Sequence, residues 1–566
     1  MSDTIAMINL VLRIATPAVM LISVVLCFLS LSFGRRDEHA LIALDDEDNN
    51  IRYPVLFWEN TLGRSRNSDI RVPDATVSRD HAVLLRREEG WFITDTDSKS
   101  GVFVNGEKTQ GRHPVFVGDR IKVGMTTLTL RRADDPTEAN QRLKVSPPKQ
   151  RNTVSCSLIL TIITILIGIL SAEGLLCSGS FSALPHAVIF CVLMWLFYTI
   201  SVRLFQRRSF ELEALALMLS GTGIMLNAFH DQKQAYMQLI ALVLGIMVYC
   251  FMLWFMEIPD RVMKWRIIIA ILAIGALLLT LAIGKSLNGA KNWIIIGPIS
   301  VQPSEFAKIA LIFVGASTLD YLQTRKNLFG FILFIGVCIG IFFLMSDFGT
   351  ALIFFVTFLV ISFMRSGDFK TVILAIAAAL LGVFLILTFK PYIAERFQAW
   401  THVWEFADSA GYQQVRTFIY SASGGLFGVG LTRGYLQYVF ASESDLVFGL
   451  ASEEMGLITA LLMSITIGGF MIYARAVTTR SRSAFYSIAA CTSGGLLVCQ
   501  AALNIFGVTD ILPLTGVTLP FVSYGGTSMI ACWGLLSFIK AADERTYSQK
   551  KAKIPANALP RDPVKQ

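Results

Sequence analysis

The feature that most limits this chain is a succession of apolar runs, each long enough to cross a bilayer. A helix needs about 20 mainly apolar residues for that. Thirteen candidate runs lie at residues 8–33, 155–176, 183–203, 212–229, 236–257, 266–284, 303–320, 328–346, 348–364, 371–390, 448–473, 484–508 and 517–540. Ser346-Asp347 is the only polar break between 328 and 364. The expected fold is a polytopic α-helical membrane protein of about 13 transmembrane helices plus one small all-β sandwich. Only 16% of the 566 residues are charged, against about 25% in soluble proteins.

The charges crowd into residues 35–153 and the gaps between runs. The net charge of +8 therefore belongs to helix ends rather than to a concentrated basic face, and no nucleic-acid partner is expected. The nine cysteines stand singly in or beside apolar runs, without a CxxC or Cys/His cluster. That excludes a zinc finger or a disulfide framework.

Run 8–33 lacks a basic leader and a small-residue cleavage site, so 1–33 is expected to be a retained anchor. Residues 34–51, with Asp45, Asp46, Glu47 and Asp48, read as an acidic linker. Residues 52–132 alternate apolar and polar side chains between turn signals such as Asn105-Gly106, the pattern of an antiparallel β-sandwich. A polar linker at 133–153 contains Pro147-Pro148. Two further spans fill 154–204, a ten-helix core fills 205–541, and 542–566 is a basic tail.

Basic residues fix an expected orientation. With the β domain inside the cell, the inner loops hold Arg203, Arg207, Arg208, Arg261, Lys264, Arg266, Arg325, Lys326, Arg365, Lys370, Arg475, Arg480 and Arg482. The short outer loops hold only Lys233, Lys285 and Lys291. Residues 391–447 then form a long outer loop rich in glycine, tyrosine and acids.

Three signals follow one another in the β region: Gly63-Arg64, Ser78-Arg79-Asp80-His81, and Gly101-Val102-Phe103-Val104-Asn105-Gly106. Together they resemble a forkhead-associated (FHA) domain. The resemblance implies a module that reads phosphothreonine in a partner protein. An arginine fork suits phosphate oxygens, and a serine hydroxyl adds a donor. Arg64 and Ser78 match the family's phosphate contacts, Arg79 a peptide contact, and His81 and Asn105 loop-fixing positions. Ser100 stands where the family usually has the asparagine that holds the peptide backbone.

The membrane region carries five polar constellations. They are 289–293 with Gln302-Pro303-Ser304-Glu305-Phe306-Ala307-Lys308; Ser346-Asp347-Phe348-Gly349-Thr350; the glycine-rich 421–430; Glu443-Ser444-Asp445 with Glu453-Glu454-Met455-Gly456; and 512–528, with Pro520-Phe521-Val522-Ser523-Tyr524-Gly525-Gly526. Ionisable groups at membrane depth are costly and point to function. Glu305 and Lys308, three apart, share a helix face. The 424–430 glycines read as irregular backbone that approaches a ligand. In this order the segments resemble the SEDS family of FtsW, RodA and SpoVE proteins, from about residue 212 to 540.

That resemblance implies polymerisation of lipid II into peptidoglycan glycan strands on the outer membrane face, in cell division, shape or sporulation. A class B penicillin-binding protein is the implied partner. Asp445 matches the catalytic aspartate. Lys291, Trp293, Glu305, Lys308, Asp347, Gln413, Ser523 and Tyr524 match other motif positions. Arg416 and Thr417 depart from a usual Gln-Ser, and Glu443-Ser444 from a usual His-Thr.

The implied chemistry assigns roles. The acceptor 4-hydroxyl needs a base, and a carboxylate within hydrogen-bond reach supplies one. Glu443 and Glu453 are expected to raise the Asp445 pKa by repulsion. Lys291, Lys308, Arg416, Arg433 or a divalent cation such as Mg or Mn would meet the leaving pyrophosphate. Two other readings fit the same residues: a lipid II flippase, and a membrane scaffold that recruits phosphorylated proteins.

Overall fold

The computed structural model describes residues 2–33, 42–46, 48–55, 59–65, 68–87, 90–109, 111–132, 154–203, 209–287, 290–296, 299–320, 325–366, 373, 376–377, 399–478, 484–543 and 546. Helix α1 (Ser2–Phe33) leads into an eleven-stranded β domain. Its strands are β1 (Ile42–Asp46), β2 (Ile51–Val55), β3 (Glu59–Gly63), β4 (Ile70–Arg71), β5 (Ala82–Arg87), β6 (Gly90–Asp95), β7 (Val102–Val104), β8 (Glu107–Lys108), β9 (Arg112–Val115), β10 (Arg120–Val123) and β11 (Thr126–Arg132).

They form two sheets, ordered β2-β1-β11-β10-β7-β8 and β4-β3-β5-β6-β9. Alternate side chains enter the core, as in β10, where Ile121 and Val123 are buried while Arg120 and Lys122 are exposed. Leu44, Leu62, Leu84, Trp91, Ile93 and Leu128 fill the space between the sheets. Asn105 and Gly106 have φ 52° and 90°, the left-handed pair that closes a tight hairpin.

One boundary is corrected. Residues 42–46 belong to the sheet, not to a linker, because β1 lies between β2 and β11. The acids that disguised it are satisfied. Asp45 pairs with Arg52 at 2.7 Å and Arg131 at 3.2 Å. Asp46 accepts from the Asn49 backbone N–H and side-chain amide.

The remaining elements are α2 (Cys156–Ser178), α3 (Leu184–Arg203), α4 (Glu211–Ala228), α5 (Gln232–Met256), α6 (Pro259–Ile283), β12 (Lys285–Leu287), β13 (Ala290–Ile296), β14 (Ile299–Val301), α7 (Pro303–Asp320), α8 (Arg325–Met345), α9 (Phe348–Ser366), α10 (Tyr412–Gly424), a 3-10 turn (Leu436–Tyr438), α11 (Val447–Glu454), α12 (Leu457–Thr478), α13 (Ala484–Val508) and α14 (Gly526–Ala542). Among the described residues, seven helices are long and apolar enough to cross a membrane, and three shorter apolar helices accompany them.

Every residue of α4 is buried. Small residues permit that close packing. A Cβ on Gly223 would stand 2.2 Å from the Val522 carbonyl oxygen, and one on Gly221 would strike Phe190 of α3. Helices α1, α2, α3 and α5 pack around α4, and α14 packs on α5, α7, α12 and α13.

Three expectations change. Run 448–473 is two helices, α11 and α12, separated at Met455-Gly456, where Gly456 has φ 91°. Run 517–540 becomes helical only at 526, because Phe521 adopts φ 66° and the Ser523 hydroxyl takes the Leu519 N–H. Strands β12, β13 and β14 form a three-stranded sheet where a loop was expected. Most of run 371–390 lies outside the described residues.

The break at 346–347 is present. Ser346 has φ 61°, and the Asp347 carboxylate accepts from the Thr350 N–H to cap α9.

Ionisable groups are not confined to one half of the bundle. Lys540 donates to Glu213 at 2.9 Å and to the Ser209 carbonyl and hydroxyl at 2.8 and 3.0 Å. Tyr249 donates to Glu213, and Ser30 to Glu211, each at 2.6 Å. A buried ammonium needs such a set of acceptors. This cluster marks the end of the bundle where α1 delivers the chain to the β domain.

Candidate functional site

Asp445 stands two residues before α11, half-buried. A turn through Ala441, at φ 60°, fixes its backbone. The N–H groups of Asp445 and Leu446 both donate to the Ala441 carbonyl, at 2.9 and 3.1 Å. The Asn504 amide from α13 donates to the Asp445 carbonyl at 2.8 Å and to the Val517 carbonyl at 2.7 Å. The Ser523 hydroxyl donates to the Ser444 carbonyl at 2.6 Å, and the Tyr524 N–H donates to the Glu443 carbonyl at 2.8 Å. Gly516, at φ 70°, lies so close that a Cβ there would stand 3.3 Å from Asp445 Oδ2.

The 443–446 and 513–524 segments, far apart in sequence, are thus laced together around one carboxylate. Gln238 reinforces the lacing from α5, its amide 3.3 Å from both the Val522 and Ser523 carbonyls. Asn504 and Gln238 went unmarked in the sequence. A lone amide inside an apolar run was the available signal.

Glu305 and Lys308 form a buried pair on α7, with Lys308 Nζ 2.8 Å from Glu305 Oε1. Lys308 also donates to Gln500 at 2.9 Å, and Gln500 donates to the Thr518 carbonyl and hydroxyl, each at 3.1 Å. The pair therefore braces the 513–519 segment. Lys308 is 1% exposed, so it is committed to this network rather than presented to a leaving group.

Lys291, Trp293 and Asp347 gather elsewhere, around β13 and the start of α9. Lys291 Nζ donates to the Ala282 carbonyl at 3.4 Å, and Asn292 donates to Asp347 at 3.2 Å. Gln413 on α10 donates to the Phe440 carbonyl at 2.9 Å, next to the Ala441 turn. Arg416 lies 5.2 Å from the Tyr412 ring centroid, and Arg433 is exposed.

Glu453 and Glu443 each have partners of their own. Glu453 is fully buried and spends both oxygens on the Tyr435 and Leu436 N–H groups, at 2.7 and 2.8 Å. Burial raises the Glu443 pKa, with His230 opposing and Asp231 adding to the rise. Its charged neighbours are thus on the α4–α5 connection. Burial alone would lower the His230 pKa, but the hydrogen bond and charge of Glu454, at 3.1 Å, raise it overall.

Gly424 and Gly428 pack backbone against backbone. Val429 and Gly430 N–H groups donate to the Glu453 and Glu454 carbonyls at 2.8 and 3.0 Å. A Cβ on Gly428 would stand 2.1 Å from the Glu454 oxygen. The stretch caps the last carbonyls of α11. Among the described residues no group of three or more His, Cys, Asp or Glu is placed to hold a metal ion.

The β domain presents its own site. Arg64 and Arg79 are exposed. The Arg64 N–H donates to the Ser78 carbonyl at 3.0 Å, which joins the loops that carry these two residues. The Ser78 hydroxyl accepts from the Lys99 N–H at 3.1 Å, which leaves its hydrogen to donate. His81 is buried, and its Nδ1 accepts from the Ser78 N–H at 3.0 Å. The other ring nitrogen lies 3.2 Å from the Gly101 carbonyl. Asn105 donates to Asp119 at 2.9 Å. These are the loop-fixing roles expected of His81 and Asn105. Ser100 is exposed, with its hydroxyl 3.5 Å from the Thr76 carbonyl.

Comparison with known proteins agrees with this layout. Residues 60–124 match the FHA domain model. A probable peptidoglycan glycosyltransferase FtsW of Saccharophagus degradans is 31% identical over 370 residues, covering 60% of this chain and 93% of that protein. The peptidoglycan glycosyltransferase RodA of Mycobacterium tuberculosis is 28% identical, covering 55% and 70%. The crystal structure of a Thermus thermophilus RodA aligns over 58% of this chain and 95% of its own, at 22% identity and a TM-score of 0.45. Residues 212–548 match the FtsW, RodA and SpoVE model, described as cell cycle protein. The chain is a multi-pass membrane protein that belongs to the FtsW/RodA/SpoVE family and carries an FHA domain ahead of the family core.

Proposed function

We propose that this protein is a peptidoglycan glycosyltransferase that polymerises lipid II, with Asp445 as its general base. The observation that carries this reading is the locking of Asp445. Five backbone and side-chain hydrogen bonds from the Ala441 turn, Asn504, Ser523 and Tyr524 fix its segment, while the residue stays half-exposed. A base must be held in place and still reach its substrate.

In the reaction, Asp445 takes the proton of the acceptor sugar 4-hydroxyl as that oxygen bonds to the donor's anomeric carbon. The bond from that carbon to undecaprenyl pyrophosphate breaks, with inversion, in one displacement. Arg416, Arg433 and Lys291 are the cations available to the departing pyrophosphate. Ser523 and Tyr524 act through the backbone they hold. Glu305 and Lys308 act through Gln500 and Thr518. The distribution of Lys and Arg supports an extracellular Asp445 and a cytoplasmic FHA domain. The FHA domain regulates by reading phosphothreonine through Arg64 and Ser78, and a class B penicillin-binding protein cross-links the product.

Replacing Asp445 with asparagine tests the assignment. The full-length variant in liposomes should bind lipid II and form no glycan polymer. A variant that polymerises at the wild-type rate would remove Asp445 from the chemistry and favour the transport reading.

A further inference from the structure

The family match begins at residue 212, which leaves α1 and α2 outside it. Yet both helices reach the Asp445 end of the bundle. Arg13 of α1 donates from Nε to the Phe427 carbonyl at 3.3 Å. Glu173 of α2 is 1% exposed and accepts from the Leu431 N–H at 3.4 Å. Arg13 and Arg433 both lie close enough to Glu173 to interact with its charge. The Asn9 amide donates to Cys177 Sγ at 3.0 Å, which ties α1 to α2. Gly430 packs on that tie, and a Cβ there would stand 2.9 Å from the sulfur.

The loop these groups hold is the one that caps α11. Val429 and Gly430 bond to the last carbonyls of α11, and Glu453 within it holds Tyr435 and Leu436. The first turn of α11 begins two residues after Asp445. The same loop carries Arg433. A chain of direct contacts therefore runs from α1 and α2, through 427–436, to α11 and Asp445.

We propose that Arg13 and Glu173 are positioning residues for glycosyl transfer: they hold the 427–431 loop against α11 and so set the place of Asp445 and Arg433. Helices α1 and α2 are then working parts of the enzyme rather than tethers for the FHA domain strung between them. This rests on the polymerase reading above. A buried carboxylate inside a span is costly, and holding an N–H of a catalytic loop gives that cost a return.

The test uses full-length protein in liposomes with purified lipid II. It compares wild type with Glu173→Ala, Glu173→Gln and Arg13→Ala. Hydrogen exchange at Val429, Gly430, Leu431, Tyr435 and Leu436 reads loop position without catalysis, and kcat and KM read the chemistry. Glu173→Ala should speed exchange and lower kcat about tenfold with little change in KM, since misplacement of a base acts on the chemical step. Glu173→Gln keeps the oxygen that accepts from Leu431 and should restore both readouts. Should Glu173→Ala fail to fold, Arg13→Ala must show the same two changes to a smaller degree.

Unchanged exchange, or faster exchange with wild-type kcat, overturns the proposal. Wild-type protein that forms no polymer overturns the polymerase reading instead, and the exchange data still decide whether Glu173 holds the loop.

Discussion

Asp445 is held by its neighbours' backbones, and most of the named side chains in the site work one step back from it. Ser523 bonds to the Ser444 carbonyl, and Lys308 is consumed by Glu305 and Gln500. At this scale His230 gives a pH prediction. Its pKa is raised from the usual 6.5 by Glu454, so the pair's contribution is fully present below pH 6.5 and is lost as pH rises through the higher folded value. Thermal stability of the purified protein should therefore fall on going from pH 6 to pH 8 by more in wild type than in His230→Gln. Equal slopes in the two proteins would show that the pair contributes nothing. Asp445, Glu305, Lys308, Glu453 and Glu454 were legible in the sequence because charge stands out in an apolar run, whereas His230 was not. Asn504, Gln500 and Gln238 were not, because a neutral amide there looks incidental until its partners are known.

At the level of elements, seven of the expected spans are helices long and apolar enough to cross a membrane, three more are shorter apolar helices, and their interruptions were legible only in part. The Ser346-Asp347 break announced itself by polarity. The Met455-Gly456 break was not read as one, although Glu453-Glu454 just before it is polar, since a glycine also suits tight helix packing. Strand β1 was hidden by acids whose arginine partners lie elsewhere in the sheet. The β12–β14 sheet was hidden by its shortness. The glycine stretch was seen, but not that Gly424 and Gly428 meet the backbone of α11, because glycine content alone says nothing of what the backbone approaches. Gly428→Ala tests that contact. Its φ of 80° and a Cβ 2.1 Å from the Glu454 oxygen should cost about 1–3 kcal/mol or more and lower the thermal midpoint. Gly468→Ala, with nothing within 4 Å, should leave stability unchanged or raise it. Equal midpoints for the two variants would contradict the packing role of 424–430.

For the whole molecule, the division into an FHA module and a membrane core was legible from the change of periodicity at residues 34–153. What the sequence left open was how the added helices join the core. Two contacts along α1 supply the answer: a buried one from Ser30 to Glu211 and a part-buried one from Arg13 to Phe427. The 17 residue steps from Arg13 to Ser30 rise about 25 Å as a helix, so α1 links both ends of the bundle. Arg64→Ala should weaken phosphothreonine-peptide binding at least tenfold by calorimetry, through loss of a charge-assisted fork, and leave basal polymerisation unchanged. Equal peptide affinity in mutant and wild type would remove Arg64 from the phosphate site.

The central claim joins these scales: a segment laced around Asp445 places one carboxylate to activate a sugar hydroxyl. The most direct measurement is glycan polymer formed from purified lipid II by full-length protein, with Asp445→Ala beside wild type. The account predicts polymer from wild type and a loss of about two to four orders of magnitude in the variant, the usual share of a general base. Polymer at the wild-type rate from a folded Asp445→Ala protein would contradict it.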